Sequence, residues 1–243
     1  GTPLVLLHGG MSATGTSFGL LLPGLAKNRK VISIEQQAHG HTADIDRPLR
    51  FPQMADDTAA MLRYLNVDQA DVLGYSVGAG IALQIAIHRP EMVRKLVFIS
   101  LYYKESGAQP GQNEGMDDMK PEHLHGTPFY DEYMSIAPRP EDFPVLLERV
   151  KEMNANVQDW PAEALRGIKS HVLTIIADAD IVQAEHAVEM FRLFGGGAPD
   201  YTDTPRSQLA IIPGANHITV VHRADILLPM LESFFGSPTA ESA

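Results

Sequence analysis

Ser76 stands between two glycines in the pattern Gly74-Tyr75-Ser76-Val77-Gly78. An apolar run over residues 70–73 precedes this pattern, and helical spacing over residues 79–88 follows it. The serine is therefore predicted to lie on a sharp turn between a strand and a helix, with its hydroxyl held clear of the backbone. Glycines leave room where the strand and the helix converge. The pattern predicts a nucleophilic serine, and an ordinary turn serine is the alternative.

A serine hydroxyl becomes a good nucleophile only when a base takes its proton and a third group orients that base. Candidates for both roles follow later in the chain. Asp178 and Asp180 come at the end of the apolar run 172–177, and His217 follows the apolar residues 209–212. Each candidate lies just past the C-terminal end of a predicted strand, where open α/β sheets build their sites. Either aspartate could be the orienting acid, because turns and helix caps also use aspartate.

Together these residues resemble the α/β-hydrolase family. The matching pieces are His8-Gly9-Gly10 after the first apolar strand, the serine turn, the strand ending at Asp180, and Gly214-Ala215-Asn216-His217. The resemblance implies catalysis by Ser76 as nucleophile, His217 as base and Asp180 as acid, because the family usually uses the second aspartate of this turn. It argues against epoxide hydrolases and haloalkane dehalogenases, whose relatives carry aspartate at the position of Ser76.

The same resemblance implies an oxyanion hole built from backbone N–H groups. Val77, which follows the nucleophile, would supply one donor, and Gly10 or Met11 would supply the other. His8 is expected to orient this loop and not to do chemistry. The alternative for this motif is a plain Gly-Gly turn.

The elements that must position these residues alternate along the chain. Apolar runs without polar alternation predict buried strands, and three-and-four spacing predicts helices between them. The predicted class is α/β, an α/β-hydrolase fold with a mostly parallel sheet and helices on both faces. The strands are predicted at residues 4–7, 31–34, 71–74, 96–99, 172–176 and 209–212, and the helices at 17–27, 53–65, 79–88, 184–193 and 224–235.

Residues 101–169 interrupt the alternation. This stretch opens with a loop-like run over 104–119, and prolines divide the rest into short helical pieces, of which 143–153 is the clearest. The resemblance implies that residues 101–169 are a lid, inserted into a core formed by residues 1–100 and 170–243. A lid would shape the pocket and exclude water. The alternative is that its aromatic residues only hold a small helical cap together. The expected substrate-binding residues are Tyr75, Tyr102, Tyr103, Phe129, Tyr130, Tyr133 and Trp160.

Composition excludes several classes of function. The 243 residues contain no cysteine, which rules out disulfides, zinc–thiolate sites and a cysteine nucleophile. The formal net charge of −11 disfavours nucleic acid and anionic membranes as partners. No apolar run is long enough to span a bilayer. His39 and His41 lack a carboxylate at ligand spacing, so no metal is expected, and no glycine-rich dinucleotide motif follows a strand.

The sequence thus predicts a serine hydrolase that cleaves a small-molecule carboxylic ester or lactone through an acyl-enzyme, without a cofactor. Three alternatives remain open: C–C bond hydrolysis, acyl transfer, and a slow-turnover ligand receptor. A cytoplasmic location is expected. The chain begins at Gly1 without methionine, so N-terminal residues are expected to precede it. The sequence does not indicate which oligomeric state the protein adopts. The small, polar residues 236–243 are predicted to form a frayed tail.

Overall fold

A computed structural model describes residues 1–156, 159–197, 200 and 206–238. Its centre is one sheet of six strands in the order β2-β1-β3-β4-β5-β6. Every pair of neighbouring strands in it is parallel. The predicted α/β class and all six predicted strands are confirmed. The strands are β1 (Leu4–Leu7), β2 (Val31–Ile34), β3 (Ala70–Tyr75), β4 (Val93–Ile99), β5 (His171–Ala179) and β6 (Ser207–Asn216).

Helices cover both faces of this sheet, which explains why its central strands are apolar without alternation. On β1, Leu4 and Leu6 join one hydrophobic cluster, while Val5 and Leu7 join the other, as the two-residue period of a strand requires. The helices are α1 (Thr14–Phe18), α2 (Leu22–Leu25), α3 (Phe51–Tyr64), α4 (Val77–His88), α5 (Gln112–Asp117), α6 (Pro121–Leu124), α7 (Pro128–Ile136), α8 (Phe143–Ala155), α9 (Ala162–Arg166), α10 (Ala184–Leu193) and α11 (Ala224–Gly236).

The strand order changes direction between β1 and β3. Successive strands lead from β1 to one edge of the sheet at β2, whereas β3 to β6 lead to the other edge. A crevice forms outside the carboxyl ends of the strands at such a switch point. Register brings the ends of β1 and β3 level, with Leu7 opposite Gly74, so the loops after these two strands meet there.

Two elements differ from the sequence prediction. The single helix expected over 17–27 is instead α1 and α2, because Pro23 fits only the first turn of a helix and starts α2 anew. The loop-like run 104–119 contains the short helix α5. Between β4 and β5, the described residues contain helices and turns but no strand of the sheet. The predicted tail lies outside the described residues from residue 239 onward.

No helix in the described part of the chain is long and apolar enough to cross a membrane.

Candidate functional site

Ser76 occupies a strained turn between β3 and α4. Its φ of 53° and ψ of −117° are unusual for a residue with a side chain. The turn is held because the Ser76 N–H donates to the Ile99 carbonyl at 2.9 Å. Only glycine fits at the two flanking positions without a steric clash. A Cβ on Gly78 would lie 1.9 Å from the Leu7 oxygen, and one on Gly74 would lie 2.3 Å from the Gly78 oxygen.

His217 lies between the serine and a carboxylate. Its Nε2 is 3.1 Å from Ser76 Oγ, and its Nδ1 is 3.0 Å from Asp180 Oδ1. Because the carboxylate can only accept a hydrogen bond, the Nδ1–H donates to it, and the Nε2 lone pair faces the serine hydroxyl. The structure thus brings together three residues that the sequence separates widely, in a geometry that suits proton transfer from Ser76.

Asp180 is a buried carboxylate with several hydrogen-bond donors around it. Ser100 Oγ donates to its Oδ2 at 2.5 Å, and the N–H groups of Ala177 and Ile181 donate at 2.9 and 2.8 Å. Burial by itself would raise the pKa of Asp180, but the bonds from His217, Ala177 and Ser100 outweigh it and hold this pKa below its usual value. Asp180 therefore stays ionised beside the imidazole.

Asp178 contacts the loop that carries His217 and not its ring. It accepts hydrogen bonds from the N–H groups of Gly214 and Ala215 at 2.9 and 3.1 Å. From the other side, the Tyr75 hydroxyl donates to the His217 carbonyl at 2.8 Å. These contacts fix the loop, while Asp180 contacts the imidazole itself. Of the two aspartates, Asp180 is the one that can orient the base.

Near Ser76, the backbone N–H groups of Gly10, Met11 and Val77 line the cavity and have no hydrogen-bond partner among the described residues. Met11 has a positive φ of 61°, and Gly10 lies close to Val77, since a Cβ on Gly10 would come within 3.0 Å of its Cγ2. His8 holds the loop after β1: its Nε2 accepts from the Gln36 N–H at 2.9 Å. Free N–H groups at this place can stabilise an oxyanion.

A cavity of about 390 Å³ opens beside Ser76 and His217. Its size falls in the usual range for small-molecule sites. Four of the expected substrate-binding residues line it, namely Tyr75, Tyr102, Phe129 and Trp160. The lining also includes apolar residues that sequence reasoning missed, among them Phe51, Met116, Met119, Leu124 and Val150.

Tyr130 and Tyr133 do not line this cavity. Their rings pack against Phe143, the first residue of α8, at centroid distances of 5.0 and 5.3 Å. Tyr103 also lies outside the cavity, stacked on His186 at 4.8 Å. For these three tyrosines the alternative of a role in packing fits their positions, because Phe143 contacts the rings of Tyr130 and Tyr133, and His186 of α10 contacts the ring of Tyr103.

Ser100 was missed by sequence reasoning, although a signal existed. It follows β4 directly, at the same sheet edge as Ser76 and Asp180, and it has a positive φ of 59°. A polar residue at the end of a buried strand in this fold is worth testing as part of the site. Its hydroxyl is a positioning group, since it contacts Asp180 and no reacting atom.

His39 and His41 point in different directions. His39 is buried against the His8 ring at 4.9 Å, and burial lowers its pKa to about 3. His41 is exposed and its Nδ1 lies 2.9 Å from Glu35. Across the described residues, no group of three or more His, Cys, Asp and Glu side chains could hold a metal ion.

Comparison with known proteins gives a family and a fold. A family model described as alpha/beta hydrolase fold matches residues 2–174. A 2-hydroxymuconate semialdehyde hydrolase of Pseudomonas sp. strain CF600 is 35% identical over 48% of this chain and 41% of its own length. An sn-1-specific diacylglycerol lipase, ABHD11 of Xenopus tropicalis, is 27% identical over 52% of this chain and 40% of its own. These matches thus span less than half the length of either relative.

One solved structure extends the likeness to nearly the whole chain. It is a 2-hydroxy-6-oxo-6-phenylhexa-2,4-dienoate hydrolase from Rhodococcus sp. strain RHA1. Its TM-score is 0.73 at 15% identity, covering 97% of this chain and 91% of that one. At this identity the likeness concerns the fold alone.

Proposed function

This chain belongs to the α/β-hydrolase fold family, and from that premise we propose that it is a serine hydrolase cleaving a carboxylic ester or lactone through an acyl-enzyme. One observation carries the proposal: the continuous contact from Ser76 Oγ through His217 to Asp180, at 3.1 and 3.0 Å. A serine placed on a strained turn, facing the lone pair of an oriented imidazole, is an activated nucleophile.

The proposed reaction has two halves. His217 Nε2 takes the hydroxyl proton as Ser76 attacks the carbonyl carbon. The N–H groups of Val77 and of Gly10 or Met11 stabilise the negative charge on the carbonyl oxygen. His217 then gives its proton to the leaving alcohol, and an acyl group remains on Ser76. A water molecule, deprotonated by His217, releases the acid and restores the serine. Asp180 stabilises the charged imidazole in both halves, and none of these steps requires a cofactor.

Residues 101–169 are proposed to act as the lid of this site. Support comes from the cavity lining that they supply, such as Met116, Met119 and Phe129. Among the described residues, three ion pairs join this segment to the rest of the chain. Arg149 Nε lies 2.6 Å from Asp44, Arg50 Nη2 lies 2.7 Å from Glu152, and Lys104 Nζ lies 2.8 Å from Glu189. A lid held by such contacts would cover the acyl group and limit the access of bulk water.

C–C bond hydrolysis is the second candidate. The 35% identity to a 2-hydroxymuconate semialdehyde hydrolase favours it. The same residues could attack a ketone carbonyl, and the bond broken would then join two carbons. The substrate and not the triad distinguishes the two activities.

A turnover assay separates these candidates from a receptor. Purified protein is mixed with chromogenic esters and lactones of graded acyl size and, separately, with a hydroxy-oxo-dienoate. We expect rapid multiple turnover of at least one ester or lactone. Turnover of the dienoate alone would support C–C hydrolysis, and a single slow burst without further turnover would support a receptor. Either of those results would overturn the proposed ester or lactone hydrolase.

A further inference from the structure

The cavity beside Ser76 has no permanently charged side chain. Among the described residues that line it there is no Arg, Lys, Asp or Glu, and its polar side chains are hydroxyls and amides apart from His217 and the Trp160 indole. Gln112 and Asn154 supply the amides. A carboxylate that entered such a cavity would lose its hydration and meet no counter-charge.

Two polar groups of the cavity lining already donate hydrogen bonds to other residues. The Trp160 indole N–H donates to Gln84 Oε1 at 2.9 Å, outside the lining, so its remaining surface is apolar. The Thr127 hydroxyl donates to the Leu124 carbonyl at 2.6 Å. Methionines at 116 and 119 add deformable apolar surface. The cavity is therefore suited to hydrocarbon more than to a second polar group.

Among the described residues that line it, the adjoining polar pocket supplies no free cation. It shares Tyr102, Met116 and Asn154 with the cavity and contains Lys104. The Lys104 ammonium lies 2.8 Å from Glu189 and over the Tyr103 ring. Three acidic residues line the same pocket, Glu105, Asp117 and Asp159. With a formal net charge of −11 on the chain, an anionic substrate finds no attraction here.

We propose that this site accepts esters with an uncharged, apolar acyl group and rejects acyl groups that carry a carboxylate. The inference rests on the proposed hydrolase function and narrows it. It separates this chain from the Rhodococcus enzyme of the same fold, whose name gives a dienoate, hence a carboxylate, as substrate. Met116 lines both the cavity and the polar pocket, so its position is where an added positive charge would weaken this preference.

The test compares esters that differ in charge alone. The para-nitrophenyl ester of hexanoate is neutral, the mono-ester of adipate carries a terminal carboxylate, and the methyl-capped adipate ester controls for size. Assays in about 1 M salt reduce the Debye length to roughly 3 Å and so remove the long-range repulsion by the surface. We expect kcat/KM for the free carboxylate to be at least about 100-fold below that of the neutral ester, with most of the loss recovered by the methyl cap.

A pair of variants at Met116 tests this effect of charge. Met116→Arg supplies a cation, whereas Met116→Gln removes the methionine without adding charge. The ratio of neutral to carboxylate kcat/KM should fall at least about tenfold in Met116→Arg and stay near the wild-type ratio in Met116→Gln. Equal ratios in the two variants would contradict the inference that the lack of a counter-charge in the cavity causes the preference.

The outcomes separate this inference from the proposed function. Similar kcat/KM values for the free-carboxylate and neutral esters in high salt, or efficient cleavage of a dienoate carboxylate, would overturn the inference of charge rejection. If no ester is cleaved and a neutral fluorophosphonate fails to label Ser76, the proposed hydrolase function fails first. Labelling of Ser76 with turnover of the neutral ester alone supports both.

Discussion

Asp180 shows how single residues set the chemistry of this site. A buried carboxylate is costly unless hydrogen bonds and a counter-charge compensate it. Here its oxygens accept from Ser100, Ala177, Ile181 and His217, so the charge is retained where the imidazole needs it. Asp178, two residues earlier, instead accepts hydrogen bonds from the backbone N–H groups of Gly214 and Ala215.

The two aspartates should therefore respond differently to the same substitution. Asp180→Asn removes the charge that stabilises the imidazolium and allows the wrong tautomer, so kcat/KM for a neutral ester should fall by about 10³–10⁴. Asp178→Asn keeps an amide oxygen that can accept from Gly214 and Ala215, so its loss should stay within about tenfold. The measurement is kcat/KM on a chromogenic ester, with circular dichroism as the control for folding. Equal losses, or the reverse ranking, would contradict the assignment of Asp180.

At the scale of elements, the site depends on how closely α4 and β3 approach the end of β1. Gly78, in the first turn of α4, sits against the Leu7 carbonyl, where no Cβ fits. This close approach of α4 to the end of β1 places the Val77 N–H and the loop containing Met11 at the same cavity. Packing between backbone atoms has little freedom to relax.

Gly78→Ala should thus destabilise the fold. We expect the free energy of unfolding to fall by about 2 kcal/mol or more, because the added methyl group overpacks against backbone. Gly115→Ala is the matched control: Gly115 lies in α5, and a Cβ there meets nothing within 4 Å. In a helix that change should be neutral or stabilise by about 0.5–1 kcal/mol. Urea denaturation of the two variants checks this, and equal stability would contradict the close packing of Gly78.

Sequence reasoning predicted the strands and the strand-end residues for the same physical reason. Strands buried on both faces are mostly apolar, so the runs 4–7 and 96–99 stand out in the sequence, and polar residues just after them are conspicuous. The lining of the cavity could not be predicted in this way. Phe51 and Met116 reach it through the packing of helices far apart in sequence, and the aromatic type of Tyr130 or Tyr133 does not tell which neighbour its ring meets.

For the whole molecule, buried histidines couple stability to pH. His8 and His39 are both buried, and burial lowers the pKa of each. The pKa of His39 falls from 6.5 to about 3. Between these pH values the unfolded chain binds more protons than the folded one. The free energy of unfolding is therefore highest with respect to this histidine above about pH 6.5, and it decreases as the pH falls. Each such group lowers the free energy of unfolding by up to about 1.4 kcal/mol per pH unit.

Replacing one of these histidines should weaken the acid sensitivity. As the pH falls from 6 to 4, we expect the free energy of unfolding to decrease by about 1 kcal/mol less per pH unit in His39→Gln than in the wild type. The same substitution at His88, an exposed residue at the end of α4, is the control and should follow the wild type. Urea denaturation at a series of pH values measures the slopes. A wild-type slope in His39→Gln would show that this histidine is not held neutral by burial.

The central claim is that Ser76 forms an acyl-enzyme, and mass spectrometry tests it most directly. A chromogenic ester is mixed with the protein, and the reaction is quenched in acid within the burst. The protein is then digested, and the mass of the peptide containing Ser76 is measured. We predict an added mass equal to that of the acyl group on Ser76. We also predict no adduct and at least about a 10³-fold loss of turnover in folded Ser76→Ala. Rapid turnover by Ser76→Ala, or an acyl group found on another residue, would contradict the claim.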